Sequence, residues 1–101
     1  MNYKLRFHPE VSFEIETALK WYEKESATAN QNLKKDLMLA FEKILSFPFS
    51  FRKAYKTFRC YPLKKFPYLI VYSVQNEIIY IVAFFPTRRN PEVLEERIKS
   101  L

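Results

Sequence analysis

Residues 66–85 read Phe66-Pro67-Tyr68-Leu69-Ile70-Val71-Tyr72-Ser73-Val74-Gln75-Asn76-Glu77-Ile78-Ile79-Tyr80-Ile81-Val82-Ala83-Phe84-Phe85, and this stretch decides the fold. β-Branched and aromatic residues fill both arms, which suits a pleated, buried surface. Tyr68, Ile70, Tyr72 and Val74 fall on one face of the first arm, with Leu69, Val71 and Ser73 on the other. Gln75-Asn76-Glu77 supplies the turn, because asparagine tolerates the left-handed backbone region. The second arm, from Ile78, is apolar on both faces, as expected of a central strand. Upstream, residues 57–63 predict another strand, where Pro62 requires an edge or a bulge.

Towards the N-terminus the period changes. Tyr3, Leu5 and Phe7 alternate with Lys4, Arg6 and His8, predicting a half-buried first strand. Pro9 suits the first turn of a helix, and Val11, Ile15, Leu19 and Tyr22 follow at helical spacing, with Phe13 and Trp21 widening the apolar stripe. That helix should fade near Ser26. Thr28 or Asn30 is expected to cap a second one, with Leu33, Leu37, Ala40, Phe41, Ile44 and Leu45 as its stripe and Pro48 as its stop. Residues 47–53 read as a loop. At the far end, Asn90-Pro91 predicts an N-cap and first helical residue, with Leu94, Ile98 and Leu101 on one edge. The expected class is therefore α+β in the order β-α-α-β-β-β-α. A twisted, mostly antiparallel four-stranded sheet carries a helix hairpin on one face. Its other face is expected to present the basic strand residues, partly closed by the last helix.

The 101 residues make room for one domain, residues 1–101, with one core. Glycine is absent, against an average of about 7%. Phosphate-cradling loops and dinucleotide fingerprints need a backbone without Cβ, so both are excluded. One cysteine and one histidine make neither a disulfide nor a Cys/His metal site. The longest apolar run, residues 78–85, is far short of the roughly 20 needed to span a bilayer. No signal-peptide core is present, and no cofactor, metal or membrane contact is expected; the expected setting is reducing and cytoplasmic.

Charge is uneven. Residues 1–50 hold seven basic and seven acidic side chains, whereas residues 51–101 hold ten and four. Arg52, Lys53, Lys56, Arg59, Lys64 and Lys65 come without an acid between them, and Arg88 and Arg89 follow the last strand. Such a cluster draws an acidic segment or a nucleic acid by its field. Interleaved Phe58, Tyr61, Phe66 and Tyr68 offer stacking surfaces for bases, or simply core. Cys60 reads as a buried strand thiol, and His8 as a strand-end or capping residue.

Five pieces in order carry a resemblance. They are Phe7-His8-Pro9-Glu10, Ala18-Leu19-Lys20-Trp21-Tyr22-Glu23, Ile44-Leu45-Ser46-Phe47-Pro48, the block at 65–72, and Ala83-Phe84-Phe85-Pro86-Thr87-Arg88-Arg89-Asn90-Pro91. Together they resemble the RelE/ParE superfamily of type II toxin–antitoxin toxins, near the branch of plasmid stabilisation proteins. The resemblance implies a growth-inhibiting toxin neutralised by a cognate antitoxin on a separate chain. Its target would be DNA gyrase for a ParE-like member, or the ribosome with mRNA for a RelE-like endoribonuclease. RNA cleavage by 2′-hydroxyl attack needs a base, an acid and a cation on the phosphate. Cys60, Pro62 and Leu69 stand where RelE-like members carry cationic catalytic residues. Relatives of this branch often read Phe-His-x-x-Arg after the last strand; Phe85 and Arg89 match, but Pro86 fills the histidine slot. A nuclease would have to use Arg59 and Arg89 with Tyr61 or Tyr68, the tyrosines lowered in pKa by neighbouring cations. The missing acid–base set favours the ParE-like, non-enzymatic reading. A decayed toxin that keeps only antitoxin binding is the further alternative. In every case the basic face (Arg52, Lys53, Lys56, Arg59, Lys64, Lys65, Arg88 and Arg89) is expected to meet the target or the antitoxin, with Arg59 and Arg89 facing solvent.

Overall fold

The computed structural model describes residues 2–101, in the order β1 (Lys4–Phe7), α1 (Pro9–Glu25), α2 (Ala27–Ser46), β2 (Lys53–Tyr55), β3 (Phe58–Pro62), β4 (Tyr68–Gln75), β5 (Ile78–Pro86) and α3 (Pro91–Lys99). The sheet has five strands, ordered β1-β5-β4-β3-β2, with β1 parallel to β5 and the other pairs antiparallel. The additional strand is β2. Its three residues begin inside the stretch that reads as loop, and nothing so short carries a visible alternation. β2 forms a hairpin with β3 through Lys56, which takes a positive φ of 51°. The β4–β5 turn runs through Asn76 at φ 58°. Without glycine, asparagine and lysine accept the left-handed region, Asn76 at the expected turn.

Helix boundaries follow their caps. His8 is the N-cap of α1, its Nδ1 accepting from the Glu10 N–H at 3.2 Å. Ser26 serves twice. Its N–H donates to the Tyr22 carbonyl to end α1, and its Oγ accepts from the Ala29 N–H at 2.9 Å to start α2. Thr28 and Asn30, the expected caps, lie inside α2 instead. Asn30 is buried and its amide donates to the Leu19 carbonyl at 2.8 Å, tying the two helices. Asn90 caps α3 by accepting from Glu92 at 3.0 Å, with Pro91 first in the helix.

The helix hairpin covers one sheet face. Val11, Ala18, Leu33, Leu37, Ala40 and Ile44 pack there against Tyr61, Leu63, Ile70, Tyr72, Ile79, Ile81 and Phe84. Between Ile81 and Phe84 the alternation skips a step. The register with β4 shifts there, pairing Tyr72 with Ile81 and Val71 with Ala83, so Val82 is the extra residue. This bulge lets both Ile81 and Phe84 face the helices. On the opposite face, Cys60, Val71, Val82, Ala83 and Phe85 form a smaller core with Ile98 of α3. The last helix therefore closes that face in part, through Ile98 and Leu94, while Leu101 lies beyond it and is exposed.

Candidate functional site

Helix α1 has a second stripe. Phe13, Thr17 and Trp21, spaced by four, line a groove of about 380 Å³ between α1 and the ends of β4 and β5. Phe13 and Trp21 widen no core: they are 71% and 55% exposed. Tyr22, Tyr68 and Phe84 also line the groove, Tyr68 stacked on Phe84 at 4.4 Å and 8°. Tyr22 meets Trp21 edge-on at 4.8 Å. Pro86 and Arg89 complete the lining.

Glu14, at the same groove, is already engaged. Arg97 of α3 grips it with two hydrogen bonds, at 2.8 and 2.7 Å, and also reaches Glu10 at 3.0 Å. Glu14 further accepts from the Phe84 N–H at 3.3 Å, and Arg97 donates to the Val82 carbonyl at 3.4 Å. These two side chains cover the margin of β5 beyond the end of β1, holding α1 and α3 to the sheet. Arg97 stays charged, its pKa raised chiefly by its hydrogen bonds to Glu14. Arg89 is left as the cation of the groove without a carboxylate partner, the described salt bridges being those of Arg97. The groove is thus an apolar, aromatic trough with a free guanidinium at its margin.

The basic residues do not form one face. Arg88 and Arg89 follow β5, and Lys64 and Lys65 lie between β3 and β4, at the same end of the sheet. Thr87 joins the two turns by donating its N–H to the Pro67 carbonyl at 3.0 Å. The Lys65 N–H is fixed by the buried Asp36 of α2 at 2.9 Å. Arg52, Lys53 and Lys56 stand at the opposite end, around the β2–β3 hairpin. Arg59 corrects the expectation most clearly. It shares the face of Tyr61 and Leu63, turned to the helix hairpin rather than the open face. Its Nη1 donates to the carbonyls of Phe49 at 3.2 Å and Phe51 at 2.8 Å. Of the pair expected in solvent, Arg89 is exposed and Arg59 is half-buried.

The tyrosines also differ from expectation. Burial pushes the Tyr61 hydroxyl up, with Asp36 adding to the shift. Burial does the same for Tyr68, helped by the Tyr22 hydroxyl. Neither is lowered by the cations, because Tyr61 lies in the core and Tyr68 against Tyr22. Burial likewise raises the Cys60 thiol, opposed only in part by Arg52, so this cysteine is a small buried apolar group. No group of three or more His, Cys, Asp or Glu stands together among the described residues to hold a metal ion. No helix among them is long and apolar enough to cross a membrane.

Sequence reasoning missed the groove and the Glu14–Arg97 clamp. The spacing of Phe13, Thr17 and Trp21 was the available signal for the groove. The clamp joins residues 83 positions apart, and no local pattern announces it.

A helix hairpin on a bulged sheet, with an aromatic trough at one end and scattered unpaired cations, defines a small α+β protein with an uncovered apolar groove. Among solved structures, a chain described as the chromosomal ParDE TA system from P. aeruginosa shares this fold. It aligns with a TM-score of 0.72 at 12% identity, covering 85% of this chain and 97% of that one. No curated protein matches in sequence. The family model described as ParE toxin of type II toxin-antitoxin system, parDE, matches residues 5–91. The chain belongs to that toxin family.

Proposed function

We propose that this chain is a growth-inhibiting toxin that acts by binding a protein target, DNA gyrase, and that a cognate antitoxin neutralises it by laying an amphipathic, acidic segment into the α1 groove. A gene pair of this kind stabilises a plasmid that carries it, since cells losing the antitoxin gene are left with the toxin. The observation that carries the reading is the exposed pair Phe13 and Trp21 beside Arg89. Burying an aromatic or aliphatic side chain of this size yields about 1.5–3 kcal/mol, so a free chain gains by having this trough covered. Trp and Arg are also the side chains that dominate binding hot spots. An apolar helix face with flanking carboxylates complements the trough and its cation, with Lys64, Lys65 and Arg88 at the same end to receive further acids.

Binding rather than RNA cleavage is supported by the residues a nuclease would need. Arg59 is committed to loop carbonyls, the hydroxyls of Tyr61 and Tyr68 are held protonated by burial, and His8 spends Nδ1 on its helix. The carboxylate that lines the groove with Arg89, Glu14, is held by Arg97, so among the described residues of that groove no free base stands ready to take the 2′-hydroxyl proton.

Co-expression with the antitoxin tests the groove. Phe13→Ser with Trp21→Ser should still arrest growth but lose rescue by the antitoxin. Full rescue of that variant, with a dissociation constant unchanged by calorimetry, would place the antitoxin elsewhere.

A further inference from the structure

The turn between α2 and β2, residues 47–52, holds two more exposed phenyl rings, Phe47 at 54% and Phe49 at 59%. Its backbone is nonetheless fixed at each step. The Phe47 N–H donates to the Lys43 carbonyl at 2.9 Å, and the Ser50 N–H donates to the Phe47 carbonyl at 3.1 Å. The buried Tyr72 hydroxyl donates to the Pro48 carbonyl at 2.7 Å, and Arg59 holds the carbonyls of Phe49 and Phe51. The Phe51 ring is anchored edge-on against Tyr61 at 4.9 Å. The Arg59 guanidinium also lies 5.4 Å from the Phe49 ring centre. Two apolar rings are therefore presented to solvent on a rigid support.

The surroundings are basic. From Lys43 to Asn76 the chain contains seven Lys and Arg and no acid. Arg52 and Lys53 follow the loop directly, Lys56 tips the next hairpin, and Lys4 and Arg6 share a depression with Phe49, where Glu77 is the one acid. None of these cations has a carboxylate within salt-bridge distance among the described residues.

We propose that this loop is a docking site for single-stranded nucleic acid, in which Phe47 and Phe49 stack on unpaired bases while Lys43, Arg52, Lys53 and Lys56 neutralise the phosphates. Unpartnered cations around exposed π-faces are the combination that single strands require, and stacking on phenylalanine needs no base identity. A duplex fits less well, because its bases must first be unstacked to reach the rings. An acidic protein segment would satisfy the cations, but protein hot spots favour Trp and Tyr, which add a polar handle that neither ring here has. The interleaved aromatic residues that suggest base stacking in the sequence, Phe58, Tyr61, Phe66 and Tyr68, pack in or against the two cores, Tyr68 also lining the groove; Phe47 and Phe49 take that role. This site lies on a different loop from the α1 groove and does not depend on the toxin reading.

The test is fluorescence anisotropy of the purified chain with a labelled thymidine oligomer of about 20 nucleotides. Binding should weaken steeply with salt, with a log–log slope of about −3 for about four phosphates. Phe47→Ser with Phe49→Ser should weaken it about tenfold or more. Lys53→Glu with Lys56→Glu, which touches no anchor of the loop, should flatten the salt slope and guards against misfolding of the first variant. No binding at low salt, binding that neither variant changes, or equal ring-dependent binding of a blunt duplex or a glutamate-rich peptide would overturn the proposal.

Discussion

Arg59 shows how a charged residue becomes structural. Its position on β3, opposite Tyr72, points it to the face that the helix hairpin covers. There the carbonyls of Phe49 and Phe51 need a donor, and the guanidinium supplies it. Arg59→Ala should therefore lower stability by about 1–3 kcal/mol, the cost of leaving a half-buried acceptor unpaired, as read by urea unfolding. Arg89→Ala, on an exposed turn, should change stability by less than about 0.5 kcal/mol. Tyr72 gives the pH signature. Burial raises its pKa from 10.0 to about 12. The unfolded chain thus releases this proton before the folded one, and stability must fall as pH rises above about 10. The direction is shared by Tyr61 and Tyr68, whose pKa values are also raised. Urea midpoints measured between pH 8 and pH 11 should decline, and Tyr72→Phe should decline less steeply.

At the scale of elements, local chemistry was readable and long-range pairing was not. Pro91 after Asn90, the Asn76 turn and the alternation in β4 each state their structure within a few residues. The β2 strand does not, since three residues paired to β3 owe their conformation to the partner strand. Phe13 and Trp21 were misleading for a related reason. Helical spacing shows which side chains share a stripe, but not whether anything covers it. Nor does a run of basic residues reveal its own division: β3 places Lys56 and Lys64 at opposite ends of the sheet. The core elements themselves are firm. Leu33, fully buried between α2 and the sheet, should cost about 2–5 kcal/mol when cut to alanine. Phe41 is only half-buried, against Phe7 at 5.5 Å, and its loss should cost less.

At the scale of the whole molecule, two exposed aromatic surfaces are kept apart. The α1 groove opens at the end of the sheet that carries Arg88 and Arg89, and the Phe47–Phe49 loop sits beyond the C-terminus of α2. The Glu14–Arg97 clamp fixes the first by holding α1, β5 and α3 together. Arg97→Ala should loosen α3, seen as faster hydrogen exchange across residues 91–99, and should weaken the antitoxin by disturbing the groove.

The most direct measurement is plasmid cleavage by purified bacterial gyrase with this chain added. Linear DNA, covalently attached to gyrase, should accumulate with toxin concentration and disappear when the antitoxin is added first. Unchanged supercoiling at saturating toxin, together with reading-frame-phased cuts in messages after the chain is induced in cells, would contradict it.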